Sequence, residues 1–305
     1  MNSTEQLLSR LIKGEVSAIA RCISHVENES PGHEDILRNL SFSKKAPIVG
    51  ITGPPGAGKS SLISALITQL TAQNKKVAVI AVDPTSPFSF GSLLGDRVRM
   101  SEHFNNPNVY IRSLATRGSL GGLNAKIIEI MDVVKAADFD FIIVETVGVG
   151  QSEVEIAGLA DTTVLVLVPE AGDEVQTIKS GIMEIADIYV INKSDREGAD
   201  HFVKNLHHLL QQHRAPHWKA DVIKTVAIKQ EGVEELLKAI HKHADQLTKN
   251  TERKAFLLTE KTVRLIQHLK MRNIDKRKIN ALILKRLEEK DFNLYLFVDE
   301  ILADE

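Results

Sequence analysis

The sequence predicts an α/β fold, with a doubly wound and mostly parallel sheet and a helical extension at each end. Two observations carry this prediction. Short β-rich runs, several of them apolar throughout, alternate with helical segments between residues 46 and 247, as is typical of parallel strands buried on both faces. Outside that region, apolar residues recur only at helical spacing. We therefore expect an N-terminal helical extension over residues 1–45, a sheet domain over 46–247 and a C-terminal helical region over 248–305.

The predicted elements follow in chain order. Apolar residues from Leu7 to Ile23 have the spacing of one amphipathic helix, which breaks near residues 30–32 and resumes over 34–40. The predicted strands are residues 47–52, 77–82, 109–113, 139–145, 163–168, 188–191 and 222–225. Segments such as 59–73, 122–136 and 199–212 are long enough for the crossover helices that parallel strands require. After Asn250 the pattern is helical to about Leu302.

Composition and charge exclude several classes of protein. Of the 305 residues, 43% are hydrophobic and 26% are charged, which suits a protein with a packed core. A formal net charge of −2 provides no overall basic field that would favour nucleic acid or an anionic membrane. The single cysteine, Cys22, excludes an internal disulfide framework and a multi-cysteine metal site. No apolar stretch approaches the roughly 20 residues that span a bilayer, so we expect a cytoplasmic protein.

A glycine-rich loop follows the first predicted strand. Residues 53–60, GPPGAGKS, match G-x-x-x-x-G-K-[ST] and lead into an apolar helix. The glycines allow backbone N–H groups to converge on phosphate oxygens, and the helix N-terminus adds the positive end of its dipole. Lys59 would place a charge on the β- and γ-phosphates, and the Ser60 hydroxyl would bind Mg²⁺. The predicted phosphate-binding residues are Gly53, Pro54, Pro55, Gly56, Ala57, Gly58, Lys59, Ser60 and Ser61.

A second motif selects the base. The predicted strand 188–191 leads into residues 192–195, NKSD, the N-K-x-D sequence of guanine-binding proteins. Asp195 would be a buried carboxylate that accepts hydrogen bonds from the ring N–H and the exocyclic amine of guanine, where adenine has no matching pair of donors. Lys193 would lie along the base, and Asn192 would tie this loop to the phosphate loop. The predicted base-binding residues are Asn192, Lys193, Asp195 and, through a backbone N–H near guanine O6, Val226 and Ala227. GTP and GDP are the ligands that this motif favours.

Acidic residues lie where a metal ion would be held. Asp83 follows the second predicted strand, Asp96 lies further along the same connection, and Glu145 ends the fourth strand. A carboxylate at the C-terminal end of a strand beside a phosphate loop holds Mg²⁺ directly or through water. The predicted metal ligands are Ser60, Asp83, Asp96 and Glu145. Lys59, Asp83 and Glu145 are the predicted catalytic residues, with Asp83 orienting the attacking water, and Gly148 would turn its N–H toward the γ-phosphate.

Four segments together resemble one family. Residues 145–153 (ETVGVGQSE), 81–86 (AVDPTS), 91–100 (GSLLGDRVRM) and 116–123 (TRGSLGGL) closely resemble the MeaB/ArgK family, GTPases that chaperone adenosylcobalamin-dependent acyl-CoA mutases, chiefly methylmalonyl-CoA mutase. The resemblance covers about residues 5–247, with every motif in order. It implies a dimeric P-loop GTPase that gates cofactor loading and protects the mutase from inactivation. Glu170 departs from the family pattern, because a small residue is expected at that position.

Three further segments are candidates for contact with a partner. Residues 147–153 and 171–179 are expected to respond to the γ-phosphate, the first through its glycines and the second through ion pairs. In the second segment Asp173, Glu174 and Lys179 can exchange ion pairs, and substitutions at Gln151, Asp173 or Lys179 would test the response. Residues 116–122 are either a mobile loop whose Arg117 reaches the nucleotide or a partner, or a plain connection.

Two other functions stay open at this point. Nickel-chaperone GTPases carry histidine tracts, and residues 201–217 hold five histidines, although on a predicted amphipathic helix and without a cysteine partner. A kinase or a transport-coupled ATPase would need to bind adenine, which the N-K-x-D motif disfavours. The Lys- and Arg-rich stretch 251–290 is expected to solvate helices and to contact a second copy or a partner rather than nucleic acid.

Overall fold

The structure is a computed structural model that describes residues 3–42, 44–83, 100–115, 126–146, 156–172, 183, 186–212, 220–249, 251–271, 274–287 and 292–303. The predicted site residues Asp96 and Gly148 lie outside these ranges. So do Arg117, Gln151, Asp173, Glu174 and Lys179. For Asp83 the backbone is described and the side chain is not.

Seven parallel strands form one sheet in the order β3-β2-β4-β1-β5-β6-β7. The strands are β1 (Ile48–Thr52), β2 (Val77–Asp83), β3 (Val109–Ala115), β4 (Phe141–Glu145), β5 (Thr162–Leu167), β6 (Ile188–Ile191) and β7 (Asp221–Lys224). The predicted fold class is confirmed. Strand order reverses at β1, which pairs with β4 on one side and β5 on the other. Ligands of open α/β sheets bind at the carboxyl ends of the strands beside such a reversal.

In the described residues, helices precede and follow the strands, and some of them pack on the two faces of the sheet. Before β7 they are α1 (Ser3–Ile12), α2 (Val16–Glu27), α3 (His33–Arg38), α4 (Lys59–Ala72), α5 (Ile127–Ala136) and α6 (Ala199–Gln212). After β7 come α7 (Val233–Lys249), α8 (Thr251–Met271), α9 (Lys276–Arg286) and α10 (Leu294–Ala303). Helices α4 and α7 pack on the central strands of one face through residues such as Leu62, Leu66 and Ile240. On the other face, Phe202 and Leu206 of α6 pack on β5 and β6. This packing makes the sheet a rigid base for the loops at its carboxyl end.

The N-terminal region differs from the prediction of a single helix between Leu7 and Ile23, which is wrong. Gly14 separates α1 from α2 with a φ of 76°. Its N–H donates to the Leu11 carbonyl at 2.8 Å, and the N–H of Glu15 donates to the Arg10 carbonyl at 3.1 Å. These two bonds form the glycine-terminated Schellman cap of a helix C-terminus. Amphipathic spacing continues through the break because each helix buries one apolar face: α1 packs on α2 and α3, and α2 packs on α5.

Ion pairs fix the N-terminal extension and the chain that follows it. Glu27 of α2 pairs with Arg112 of β3 at 2.9 Å. Lys44, just before β1, donates to Asp138 at 2.6 Å and to Asp140 at 3.1 Å. The Lys44 hydrogen bond holds the pKa of the Asp138 carboxyl below its usual value, and Asp138 raises the pKa of Lys44 in return. The extension is therefore attached to the sheet domain by charge as well as by apolar contact.

The C-terminal part is helical, as predicted. The chain divides into two compact units, Met1–Lys261 and Thr262–Glu305. The second unit contains the end of α8 together with α9 and α10. Within the second unit, Arg286 pairs with Glu300, and Phe292 contacts Phe297. Among the described helices, none is both long enough and apolar enough to cross a membrane. The predicted boundaries at residues 45/46 and 247/248 stay predictions.

Candidate nucleotide site

The phosphate loop lies at the carboxyl end of β1 and leads directly into α4, which begins at Lys59. Gly53 and Gly58 have φ angles of 136° and 86°, a region that residues with a Cβ rarely adopt. A Cβ at Gly53 would lie 2.1 Å from the Val166 carbonyl oxygen of β5, and one at Gly58 would lie 2.4 Å from Asn192 Nδ2. Glycine is therefore required twice, so that the loop can approach the neighbouring strand and the loop after β6.

Lys59 occupies the centre of this loop. Its Nζ donates to the Gly53 carbonyl at 2.8 Å and to the Pro54 carbonyl at 3.2 Å, and the residue is only 7% exposed. A nearly buried ammonium group above a helix N-terminus creates a positive centre that suits phosphate oxygens.

Ser60 and Glu145 come together beside Lys59. The Ser60 hydroxyl donates to Glu145 Oε1 at 2.8 Å, and Glu145 is 2% exposed at the end of β4. Strand register places Glu145 between Ile51 of β1 and Ala81 of β2. A hydroxyl and a carboxylate are the oxygen ligands that Mg²⁺ prefers, so the donor set fits that ion.

Asp83 ends β2, two residues beyond the level of Glu145 on the adjacent strand. Its backbone position is at the same edge of the sheet as Ser60 and Glu145. The structure thus brings Lys59, Ser60 and Glu145 together, and it places the Asp83 backbone on the strand next to them.

Asn192 joins three loops. It is 2% exposed, and its Nδ2 donates to the Ala57 carbonyl of the phosphate loop at 2.9 Å. Its Oδ1 accepts from the Thr225 hydroxyl at 3.1 Å and from the Ala227 N–H at 3.2 Å. These three hydrogen bonds connect the predicted base loop to the phosphate loop and to the loop after β7.

Lys193 crosses from the base loop to the phosphate loop. Its φ of 56° is uncommon for a residue with a side chain. In this conformation Nζ donates to the Gly56 carbonyl at 2.8 Å. The aliphatic part of the side chain therefore spans the gap between the two loops, which is where the motif places the plane of the base.

Asp195 lies at the surface, so the expectation of a buried carboxylate is wrong. Its side chain is 39% exposed and accepts from Lys229 Nζ at 3.1 Å. The hydrogen bond from Lys229 lowers the pKa of the Asp195 carboxyl below its usual value. The end of the base loop lies at the surface, where Asp195 and the three residues after it are exposed.

The loop after β7 already uses the two backbone N–H groups that were predicted to face guanine. Val226 N–H donates to the Glu231 carbonyl at 3.1 Å, and Ala227 N–H donates to Asn192. Both residues lie beside Asn192, at 4% and 5% exposure. Their contact with guanine O6 stays a prediction.

Sequence reasoning missed several residues around the base loop. The Thr225 hydroxyl holds Asn192, Lys229 holds Asp195, and Arg196 pairs with Glu170 in the turn after β5. The pairing with Arg196 lowers the pKa of the Glu170 carboxyl. Glu170 had stood out only as a departure from the family pattern. No local signal marks Lys229, because its contact depends on how the loop after β7 folds back.

The histidine tract does not form a metal site in the part that is described. His201, His207 and His208 are exposed on α6, and the other two histidines of the tract lie outside the described residues. Within the described ranges, no group of three or more His, Cys, Asp or Glu residues could hold a metal ion. The described histidines match the expected solvent-facing helix surface.

Comparison with known proteins identifies the family. The family model described as methylmalonyl-CoA mutase-associated GTPase MeaB matches residues 19–282. The chain is 45% identical to a protein of Pyrococcus abyssi that is named as a GTPase, over 98% of this chain and 96% of that one. It is 37% identical to GTPase ArgK of Escherichia coli, over 76% and 73% of the two chains. A mouse protein named methylmalonic aciduria type A homolog, mitochondrial, is 36% identical over 81% of this chain and 65% of its own.

Solved structures agree with the fold. A structure named LAO/AO transport system kinase has a TM-score of 0.68 and 25% identity, and it covers 99% of this chain and 98% of its own. HypB from Helicobacter pylori, solved with nickel, has a TM-score of 0.50 over 75% of this chain and 95% of its own; at 15% identity it supports the fold alone. The motifs, the loops that hold them together and the family match agree, and the chain belongs to the methylmalonyl-CoA mutase-associated MeaB family of P-loop GTPases.

Proposed function

We propose that this GTPase is a chaperone of an adenosylcobalamin-dependent acyl-CoA mutase, methylmalonyl-CoA mutase or a close relative, and that it gates cofactor loading and protects the mutase. The observation that carries the proposal is the family match, because the family is described by its association with that mutase. The name of the mouse relative, which refers to methylmalonic aciduria, points to the same metabolism. Nothing in the described residues favours nickel delivery.

The site residues have distinct tasks in GTP binding and hydrolysis. Lys59 and the backbone N–H groups of the phosphate loop bind the β- and γ-phosphates, and Asp195 selects guanine. Ser60 and Glu145 would hold Mg²⁺, with Asp96 and Asp83 as further predicted ligands. When bound, that ion neutralises charge on the phosphates. By our proposal, Asp83 would orient the attacking water, and Gly148 would donate its N–H to the γ-phosphate.

Coupling to a partner requires segments that respond to the γ-phosphate. The two proposed segments follow Thr146 and Glu170, residues that hydrogen bonds or ion pairs attach to the site. Thr146, next to Glu145, donates its hydroxyl to Thr52 Oγ1 at 3.0 Å and its N–H to the Ile51 carbonyl at 3.1 Å. The turn Pro169–Gly172 is attached to the base loop through Glu170 and Arg196. The proposed response segments, 147–153 and 171–179, therefore start from positions that the nucleotide site holds.

Measuring GTP turnover with and without adenosylcobalamin-dependent acyl-CoA mutases tests the chaperone proposal. We expect methylmalonyl-CoA mutase or a close relative to bind the GTPase and to accelerate hydrolysis. If the mutase changes the affinity for GTP, GTP must change the affinity for the mutase by the same factor, because coupling between two binding sites is reciprocal. The control is Asp195→Asn, in which the mutase should act only when a xanthosine nucleotide is supplied. If no such mutase binds or alters turnover, while a nickel enzyme or a transporter does, the proposal fails and the GTPase activity stands.

We also propose that the chain forms a homodimer through its C-terminal helices. Most of the exposed large apolar side chains of the described residues lie in α8, α9 and α10 and the residues next to them: Leu258, Val263, Ile266, Leu269, Met271, Leu282, Leu284, Leu287, Leu294, Tyr295, Leu296, Val298 and Leu302. Such a concentration of exposed apolar side chains in one part of the chain is typical of helices that a second protein covers. Light scattering should give a molar mass of twice 33.7 kDa. A single-chain mass that does not change with protein concentration would contradict the dimer.

A further inference from the structure

The loop between β7 and α7 has a closed backbone that presents Lys229 to the base loop. Val226 and Glu231 are joined in an antiparallel bridge, and the Lys229 N–H donates to the Val226 carbonyl at 2.8 Å. Gln230 takes a φ of 62°, which turns the chain back toward α7. The base of the loop is buried, with Thr225 at 1% exposure. Lys229 is therefore attached to a rigid turn rather than to a flexible connection.

The base loop, which carries Asp195, is also held in place by hydrogen bonds. Ser194 N–H donates to the Thr225 carbonyl at 3.1 Å, which joins the base loop to the same turn one residue before Asp195. Asn192 binds both Thr225 and Ala227 from the start of the base loop. Backbone contacts on both sides thus keep the two residues within reach of each other, and Lys229 Nζ lies 3.1 Å from Asp195 Oδ2.

An ionised carboxylate can serve guanine and an ammonium group together. Its two oxygens offer about four lone-pair positions. The ring N–H and the exocyclic amine of guanine use one position on each oxygen, which leaves an outer position on Oδ2 for Lys229. The ammonium would limit rotation of the carboxylate before the base arrives, and this reduces the entropy lost on binding.

We propose that Lys229 is a positioning residue for nucleotide selection, which orients the Asp195 carboxylate so that it accepts both guanine donors. The inference rests on the proposed function of Asp195 in guanine recognition and adds a residue that the motif does not contain. Lys229 touches neither the phosphates nor the reacting atoms, so its effect is on affinity and not on the rate of the chemical step.

The charges around Asp195 support this assignment. Arg196 is adjacent in sequence, but its guanidinium pairs with Glu170 on the other side of the loop. Lys193 directs its ammonium group to the Gly56 carbonyl. The pKa of Lys229 is raised first by Asp195, with Glu231 contributing from the same turn. Of these three cations, Lys229 is the one whose ammonium group bonds to the Asp195 carboxylate.

Three variants test the proposal through GDP binding, followed with a fluorescent GDP analogue from about pH 3 to about pH 8, because an unperturbed Asp carboxyl titrates at about pH 3.9. Lys229→Met keeps most of the unbranched apolar stem and removes the charge, and Lys229→Arg keeps the charge. Lys238→Met is the matched control, because Lys238 pairs with Glu234 at 2.7 Å on the exposed surface of α7. Lys229 is itself 52% exposed, so these changes leave the core intact.

We expect Lys229→Met to weaken GDP and GTP binding about three- to tenfold near neutral pH, with kcat at saturating GTP unchanged. Because Lys229 lowers the pKa of Asp195, its removal raises that pKa, and binding should be lost at a higher pH than in the wild type as the solution is acidified. Lys229→Arg should recover most of the affinity and the wild-type pH profile. Lys238→Met should match the wild type in both measurements.

Two results would overturn the inference. If Lys229→Met had the affinity and pH profile of the wild type, the ion pair would have no effect on nucleotide binding. If Lys229→Met bound GDP more tightly, Lys229 would compete with guanine for Asp195. Asp195→Asn, tested with xanthosine diphosphate in parallel, separates this inference from the proposed base site. If that variant accepts xanthine and Lys229→Met has no effect, the guanine site stands and the positioning residue does not.

Discussion

Asp195→Asn is expected to lower the affinity for GTP and GDP by about 100-fold or more, since two charge-assisted hydrogen bonds are lost together. An Asn amide offers one acceptor and one donor, so its NH₂ group faces one of the two guanine donors. Xanthine carries a carbonyl where guanine has its exocyclic amine, and therefore matches the amide. The variant should bind xanthosine diphosphate in preference to GDP. Displacement of one fluorescent nucleotide by GDP, xanthosine diphosphate or ADP measures the change in base preference.

Asp200→Asn is the matched control for that variant. Asp200 is also exposed, and it accepts from a lysine, Lys224, at 2.9 Å. It lies five residues further along the chain, on α6, so its replacement should leave the preference for guanine unchanged. The assignment of Asp195 would be wrong if Asp195→Asn bound GDP as the wild type does, or if ATP competed equally with GTP at the wild-type site.

Lys59→Met should lower kcat/KM for GTP by about 100- to 1,000-fold, with losses in both binding and turnover. The ammonium group is held by the carbonyls of Gly53 and Pro54 at the centre of the phosphate loop. From that position it would stabilise the phosphates in the ground state and the additional charge of the transition state. Initial rates of phosphate release over a range of GTP concentrations would separate the two losses.

Lys193→Met is the control for the loss of a lysine that also holds the phosphate loop by a hydrogen bond. Lys193 also donates to a carbonyl of the phosphate loop, that of Gly56, at 2.8 Å, but it lies on the base side and not at the phosphates. Its replacement should weaken nucleotide binding by a few-fold and leave kcat near the wild-type value. If Lys59→Met turned over saturating GTP at the wild-type rate, Lys59 would have no part in catalysis.

The strands were predictable because their signal is local. Parallel strands with helices on both faces are buried on both sides, so each is a short apolar run between turns or helices. β6, Ile188–Ile191, has the predicted bounds, and β1 differs by one residue at its start. The phosphate and base motifs were equally readable, since each needs particular residues within a few positions of one strand end.

Other features could not be read in this way. Amphipathic spacing passes through Gly14 without interruption, although the chain there ends one helix and begins another. Exposure of Asp195 depends on where the base loop ends relative to the sheet, and the motif contains no information about that. The family resemblance likewise indicated the activity but not the contacts of Glu170, which the structure places on Arg196.

The sequence by itself determined the fold class, the position of each strand to within two residues and the two nucleotide motifs, because periodicity and short-range backbone requirements are properties of neighbouring residues. Only the tertiary structure decided which loops meet. Asn192 and Ala57 are 135 residues apart, Ser60 and Glu145 are 85 apart, and Lys229 and Asp195 are 34 apart. Each contact forms because the strand order brings the carboxyl ends of distant strands to one edge of the sheet, and that order follows from packing the whole chain at once.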